Sequence, residues 1–173
     1  MKLRTVLALF LMAAASAAGA EQLKFDHRLY PPLKQTLDSG DASMIDFNQS
    51  NPRYVVDWIV VRGKSTKDWD EAMQIIARTP TKQVRSVREW MDEIRKASEG
   101  KCAARFTTLA EDAVSITFRR DAEDCPARLA RSGLYRVVAG KGSLFLLAAF
   151  TRAPMDDASR GQWLMLLESA RVE

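Results

Sequence analysis

Leu144 to Phe150 reads LFLLAAF, apolar at every position. A strand sends alternate side chains to opposite faces, so such a run is satisfied only where apolar cover lies on both. Tyr54 to Val61, YVVDWIVV, repeats the pattern, with Asp57 as its one exception. Two such strands predict a sheet with layers on both sides, and LFLLAAF belongs near its centre. Gly140-Lys141-Gly142 predicts the turn of a hairpin that joins LYRVV to LFLLAAF.

The stretch GKSTKDWDEAM, Gly63 to Met73, follows the first apolar run. A phosphate-binding loop of the GxxxxGK[ST] kind needs a second glycine whose amides wrap the phosphates, and only one is present. The residues fit a capping box instead, with Ser65 and Asp68 exchanging bonds and Gly63 turning the chain. Trp69, Ala72, Met73, Ile76 and Ala77 then recur at helical spacing, predicting a helix that ends at Thr79-Pro80. A second helix is predicted from Thr81 to Ser98, with Val84, Val87, Trp90, Met91 and Ile94 inward and Gly100 as its stop. Ala103 to Leu109 and Val114 to Arg119 read as a hairpin turning at Glu111-Asp112; Ser115, Thr117 and Arg119 predict one wet face. Pro154 and Asp156-Asp157 introduce a last helix with Trp163, Leu166, Leu167 and Ala170 inward. Residues 21–53 are polar and broken by Pro31-Pro32, Ser39-Gly40 and Pro52, which predicts an arm wrapping the core with a short helix at Leu33–Leu37 and a short strand at Ser43–Phe47. The expected fold is α+β, a central antiparallel sheet flanked by helices in α/β/α layers, with residues 54–173 forming a single domain.

Residues 1–20, MKLRTVLALFLMAAASAAGA, carry Lys2 and Arg4, then an apolar stretch to Met12, then Ala18-Gly19-Ala20. This order predicts a secretory signal peptide cleaved near Ala20. The apolar stretch fades too soon to span a bilayer, so no stable membrane anchor is expected. Beyond Ala20 the balance is 24 cations against 22 anions, a net of +2. Arg119, Arg120, Arg128 and Arg131 alternate with Asp121, Glu123 and Asp124, whereas nucleic-acid binding needs a stripe of one sign. That region reads as solvated surface. Cys102 and Cys125 are the only cysteines. Export to the periplasm or the medium predicts a disulfide between them, at the open end of the first hairpin.

His27 is the only histidine, so histidine-rich zinc sites cannot be built, and it reads as an exposed bystander. No D-x-D-x-D-G calcium loop occurs. Asp57 is the one candidate for carboxylate chemistry: it reads as an acid of raised pKa, as the structural partner of an arginine such as Arg62 or Arg136, or as a residue emerging at a sheet edge. Trp58, Trp69, Trp90 and Trp163 fall in apolar stripes and read as core. No catalytic, cofactor-binding or metal-ligating residue is assigned, and no cofactor is expected.

Val56 to Ile76 resembles a segment of small secreted bacterial proteins of unknown function, the likeness carried by Gly63, Ser65, Asp68, Trp69 and Met73. The order Cys102, hairpin, Cys125, then a hairpin from Tyr135 to Phe150 extends it over about residues 54–152. The element order is also similar to the PsbP-like fold, whose members often act through protein contacts; fold alone does not transfer function. The resulting expectation is an exported, non-enzymatic protein that binds another envelope or secreted protein or an envelope component. A small-molecule or lipid carrier is the alternative, and a carboxylate-dependent hydrolase the second alternative. A deep apolar pocket between sheet and helix favours the carrier.

Overall fold

The computed structural model describes residues 21–51 and 54–173, so the predicted leader lies outside the described residues. In chain order come β1 (Leu23–Lys24), a 3-10 turn (His27–Leu29), α1 (Pro31–Ser39), β2 (Ile45–Asn51), β3 (Tyr54–Ser65), β4 (Asp68–Arg78), α2 (Val87–Glu99), β5 (Arg105–Glu111), β6 (Ser115–Asp121), β7 (Ser132–Ala139), β8 (Leu144–Thr151), α3 (Asp157–Glu168) and β9 (Arg171–Val172). Seven strands form one sheet in the order β2-β3-β4-β8-β7-β6-β5, and β1 pairs with β9. Every pairing is antiparallel. LFLLAAF makes up most of β8, the middle strand, as its composition requires.

The core divides into two apolar clusters. Tyr30, Leu33 and the α3 residues Trp163, Leu166 and Leu167 join Ile59, Met73, Leu147 and Ala149 in one. The α2 residues Val87, Trp90 and Met91 join Ile116, Phe118, Tyr135, Leu146 and Ala148 in the other. From Leu146 to Phe150 successive residues of β8 alternate between the clusters, as the pleat dictates.

The predicted helix after Gly63 is a strand. Ser65 Oγ does accept from the amide of Asp68, at 3.2 Å, but the bond closes a hairpin turn between β3 and β4. Gly63 has φ +139°, and a Cβ there would lie 2.5 Å from Trp69 Cα, so the turn needs glycine. The apparent helical stripe arose because β4 is enclosed between β3 and β8 and buries both faces: Met73 joins one cluster and Ile76 the other. A strand covered twice loses its period of two, and its apolar spacing then imitates a helix.

Three further expectations change. The α2 helix starts at Val87 rather than Thr81, because the capping box is formed by Ser86 and Glu89: Glu89 N donates to Ser86 Oγ at 3.2 Å and Ser86 N to Glu89 Oε2 at 3.1 Å. Residues 81–84 instead close a turn in which Val84 N donates to Thr81 Oγ1. The polar face of β6 is dry: Ser115 and Thr117 are buried, satisfied by bonds from Ser115 Oγ to Asp112 Oδ2 and from Arg136 Nη1 to Thr117 Oγ1. The N-terminal arm also supplies core, since Tyr30 and Leu33 are fully buried and β2 extends the sheet. By contrast, the hairpins β5–β6 and β7–β8 and the helix α3, capped by Asp156 Oδ1, follow the sequence expectation.

Candidate functional site

Six strands each contribute one aromatic ring to a continuous row across the sheet. Phe106, Phe118, Tyr135, Phe150, Trp58 and Trp69 follow one another with centroid separations of 6.1, 4.7, 5.4, 5.7 and 5.3 Å. Such separations are those of favourable stacked or edge-on pairs. The α2 helix packs on β6 and β7 and buries Phe118 and Tyr135. Phe150, Trp58 and Trp69 stay half-buried.

Between α2 and the sheet lies a cleft of about 380 Å³, lined by Tyr135 and Phe150 of this row. Trp90, Ile94 and Ala97 of α2 form one wall, and Ile76, Leu146 and Phe150 the other. Polar groups converge at one end, where Ser98, Lys101, Arg120 and Tyr135 line it. A larger depression of about 820 Å³ borders Glu21, Gly140 and Glu173. Among the described residues, the α2 cleft is the one that combines an apolar body with convergent polar groups.

Arg120 anchors the polar end. It is only 6% exposed, and its guanidinium donates from Nε to Ser98 Oγ at 2.7 Å and from Nη1 to the Ala130 carbonyl at 2.9 Å. Its Nη2 lies 3.5 Å from Cys102 Sγ and 3.4 Å from Cys125 Sγ. The disulfide expected between these cysteines is present, with Cα atoms 5.5 Å apart, and it brackets the β5–β6 hairpin as anticipated. Opposite Arg120 on β7 is Gly133, and a Cβ there would lie 2.7 Å from Tyr135 Cε2 and 3.0 Å from its hydroxyl. Glycine therefore lets the Tyr135 ring lean along the strand toward Arg120. Burial pushes the Tyr135 phenol up to about 12, against the opposing effect of the Arg120 charge, so the hydroxyl remains a neutral donor or acceptor.

The reading of Arg120 as solvated surface is thus corrected. Ile116, Phe118 and Arg120 share one face of β6, and the first two are core. That alternation was the signal available in the sequence.

Asp57 lies half-buried in β3, opposite Phe47 and Ile75. Burial alone raises its pKa, and its Oδ1 has no hydrogen-bond partner among the described residues. The arginines proposed for it are engaged elsewhere: Arg62 pairs with Glu71 at 3.2 Å and Arg136 donates to Thr117. His27 sits in the 3-10 turn, partly covered rather than exposed. Trp90 and Trp163 are core, but Trp58 and Trp69 are half-buried.

A second polar centre went unread in the sequence. Glu71, 3% exposed, accepts from the Tyr30 hydroxyl at 2.7 Å and from Trp163 Nε1 at 2.6 Å. Arg62 answers its charge. Both carboxylate oxygens of Glu71 are thereby partnered, and the cluster ties the N-terminal segment and α3 to β4. Burial and the bond to Glu71 raise the Tyr30 phenol to about 12.

Among the described residues no group of three or more His, Cys, Asp or Glu could hold a metal ion, and no helix is long and apolar enough to cross a membrane. No protein-family model matches the chain, and neither does any curated protein.

Proposed function

We propose that the protein is an exported, non-enzymatic carrier of a small molecule with an apolar body, bound in the cleft between α2 and β8. The observation that carries this reading is the cleft of about 380 Å³ between α2 and the sheet, lined by Trp90, Ile94, Leu146 and Phe150. That volume falls in the range of ligand clefts, about 300–1,000 Å³, and an apolar lining with a few convergent polar groups is their usual composition. Placement in the periplasm or the medium is supported by the leader sequence and the disulfide. The α/β/α, PsbP-like layering belongs to the same proposal: α1 and α3 share one cluster with the sheet, and α2 shares the other.

Binding of another protein ranks second. The exposed large apolar residues Phe47, Leu109, Val114 and Met165 are spread over β2, β5, the β5–β6 turn and α3, and a docking surface calls for a contiguous patch. The hydrolase reading lacks a second acid acting on Asp57, whose pKa is shifted by burial alone.

A neutral probe tests the carrier reading. N-phenyl-1-naphthylamine should brighten saturably when added to the exported protein. Ala97 is exposed on α2 and lines the cleft, so Ala97→Trp should fill the space and weaken binding about tenfold or more while leaving circular dichroism unchanged. Equal binding by the variant, or no brightening together with no binding of any long-chain apolar ligand, would remove the proposal.

A further inference from the structure

We infer that the occupant of this cleft is an amphipathic carboxylate, its anionic head at Arg120 and Lys101 and its apolar body along Leu146 and Phe150. The inference rests on the carrier reading and adds the charge of the ligand. Every acceptor held by the Arg120 guanidinium is neutral: a hydroxyl, a carbonyl and two sulfurs. The neighbouring acid in sequence, Asp121, is occupied by Arg119 at 2.8 Å and Arg105 at 3.6 Å. A guanidinium that is 6% exposed is costly to bury unless an anion answers it, and none of the described residues supplies one. It has five N–H groups, so at least one is left for an incoming oxygen.

Two other charges decide the balance of the walls. Glu93 is the only carboxylate lining the cleft, and it is bound to Arg78 at 2.8 Å. Lys101 also lines it. The Lys101 amide donates to the Ser98 carbonyl at 2.9 Å, which places it beside the hydroxyl that accepts from Arg120. Lys101 is exposed and ion-pairs with no described residue, so the lining of the cleft includes two cations without a described carboxylate partner. The opposite walls, Ile76, Leu146, Phe150 and Trp90, offer no charge. A neutral ligand would leave the guanidinium unanswered; a carboxylate on an apolar chain satisfies both ends.

Calorimetric titration with laurate and with dodecanol, equal in chain length and different in charge, tests the assignment. Laurate should bind about tenfold tighter, the scale of one charge-assisted hydrogen bond. Lys101→Gln should weaken laurate severalfold and leave dodecanol unchanged, and Arg120→Gln should reduce laurate to the level of dodecanol. If Arg120→Gln does not fold, the wild-type pair and Lys101→Gln decide alone. Equal affinities, tighter dodecanol, or N-phenyl-1-naphthylamine binding without laurate binding overturn the carboxylate while the carrier reading stands. Failure of all three probes removes both.

Discussion

Arg120 and Asp57 show how context decides the meaning of a charged residue. Both interrupt otherwise apolar faces, Arg120 after Ile116 and Phe118, Asp57 between Val55 and Ile59. The chain around Arg120 looks like a mixed-charge surface run, and only alternation along β6 separates the buried arginine from Arg119, which pairs with Asp121. Asp57 stands out at once in YVVDWIVV, yet the structure gives it burial and no ionic partner among the described residues. Glu71 was harder still. Its partners Tyr30 and Trp163 come from positions 41 residues before and 92 residues after it, a juxtaposition that no local pattern encodes. The two phenols in these environments make a pH prediction. A phenol whose folded pKa lies above its unfolded value contributes stability in full below the ordinary value of 10 and loses that contribution as the pH climbs toward 12. Absorbance titration at 295 nm should therefore leave Tyr30 and Tyr135 un-ionised at about pH 11, with the unfolding midpoint falling between about pH 10 and 12. Ionisation of all three tyrosines near pH 10 in the folded protein would contradict these placements.

Among the elements, legibility followed the number of covered faces. The β7–β8 hairpin and α3 carry explicit punctuation, Gly140-Lys141-Gly142 and Asp156, and both stand where the sequence placed them. β4 does not. Its residues bury on both sides of the sheet, and the only local cue, the Ser65 to Asp68 bond, serves a hairpin turn as readily as a helix cap. The real capping box at Ser86 and Glu89 shows the same S-x-x-E spacing with an apolar stripe behind it. What separates the two sites is tertiary: β3 and β8 lie on either side of β4. The β5–β6 hairpin depends on its disulfide. Cys102 and Cys125 are 23 residues apart, and closing a loop of that length stabilises by about 3 kcal/mol. Cys102→Ser should lower Tm by roughly 6–12 °C with the far-ultraviolet circular dichroism retained. An unchanged Tm would show that the bridge does not constrain the fold.

For the whole molecule, the central strand and the antiparallel sheet were readable because LFLLAAF admits few other fates. The cleft was not, because a helix shorter than the sheet is wide becomes visible only once strand order is known. α2 has 13 residues and packs on β6 and β7, so the aromatic row continues beyond it to Phe150, Trp58 and Trp69. A sequence shows aromatic residues at strand positions, and it cannot show that six of them from six strands touch in succession. Phe150 and the apolar residues of α2 line the proposed binding surface, Arg120 and Lys101 supply its charge, and Glu71 with its partners ties α3 and the N-terminal segment to β4. The most direct measurement is an amide chemical-shift titration of the exported protein with laurate. Shifts should concentrate at Trp90–Lys101 of α2 and its flank, at Arg120, and at Tyr135, Leu146 and Phe150; shifts centred elsewhere, or none at saturating laurate, would contradict the account.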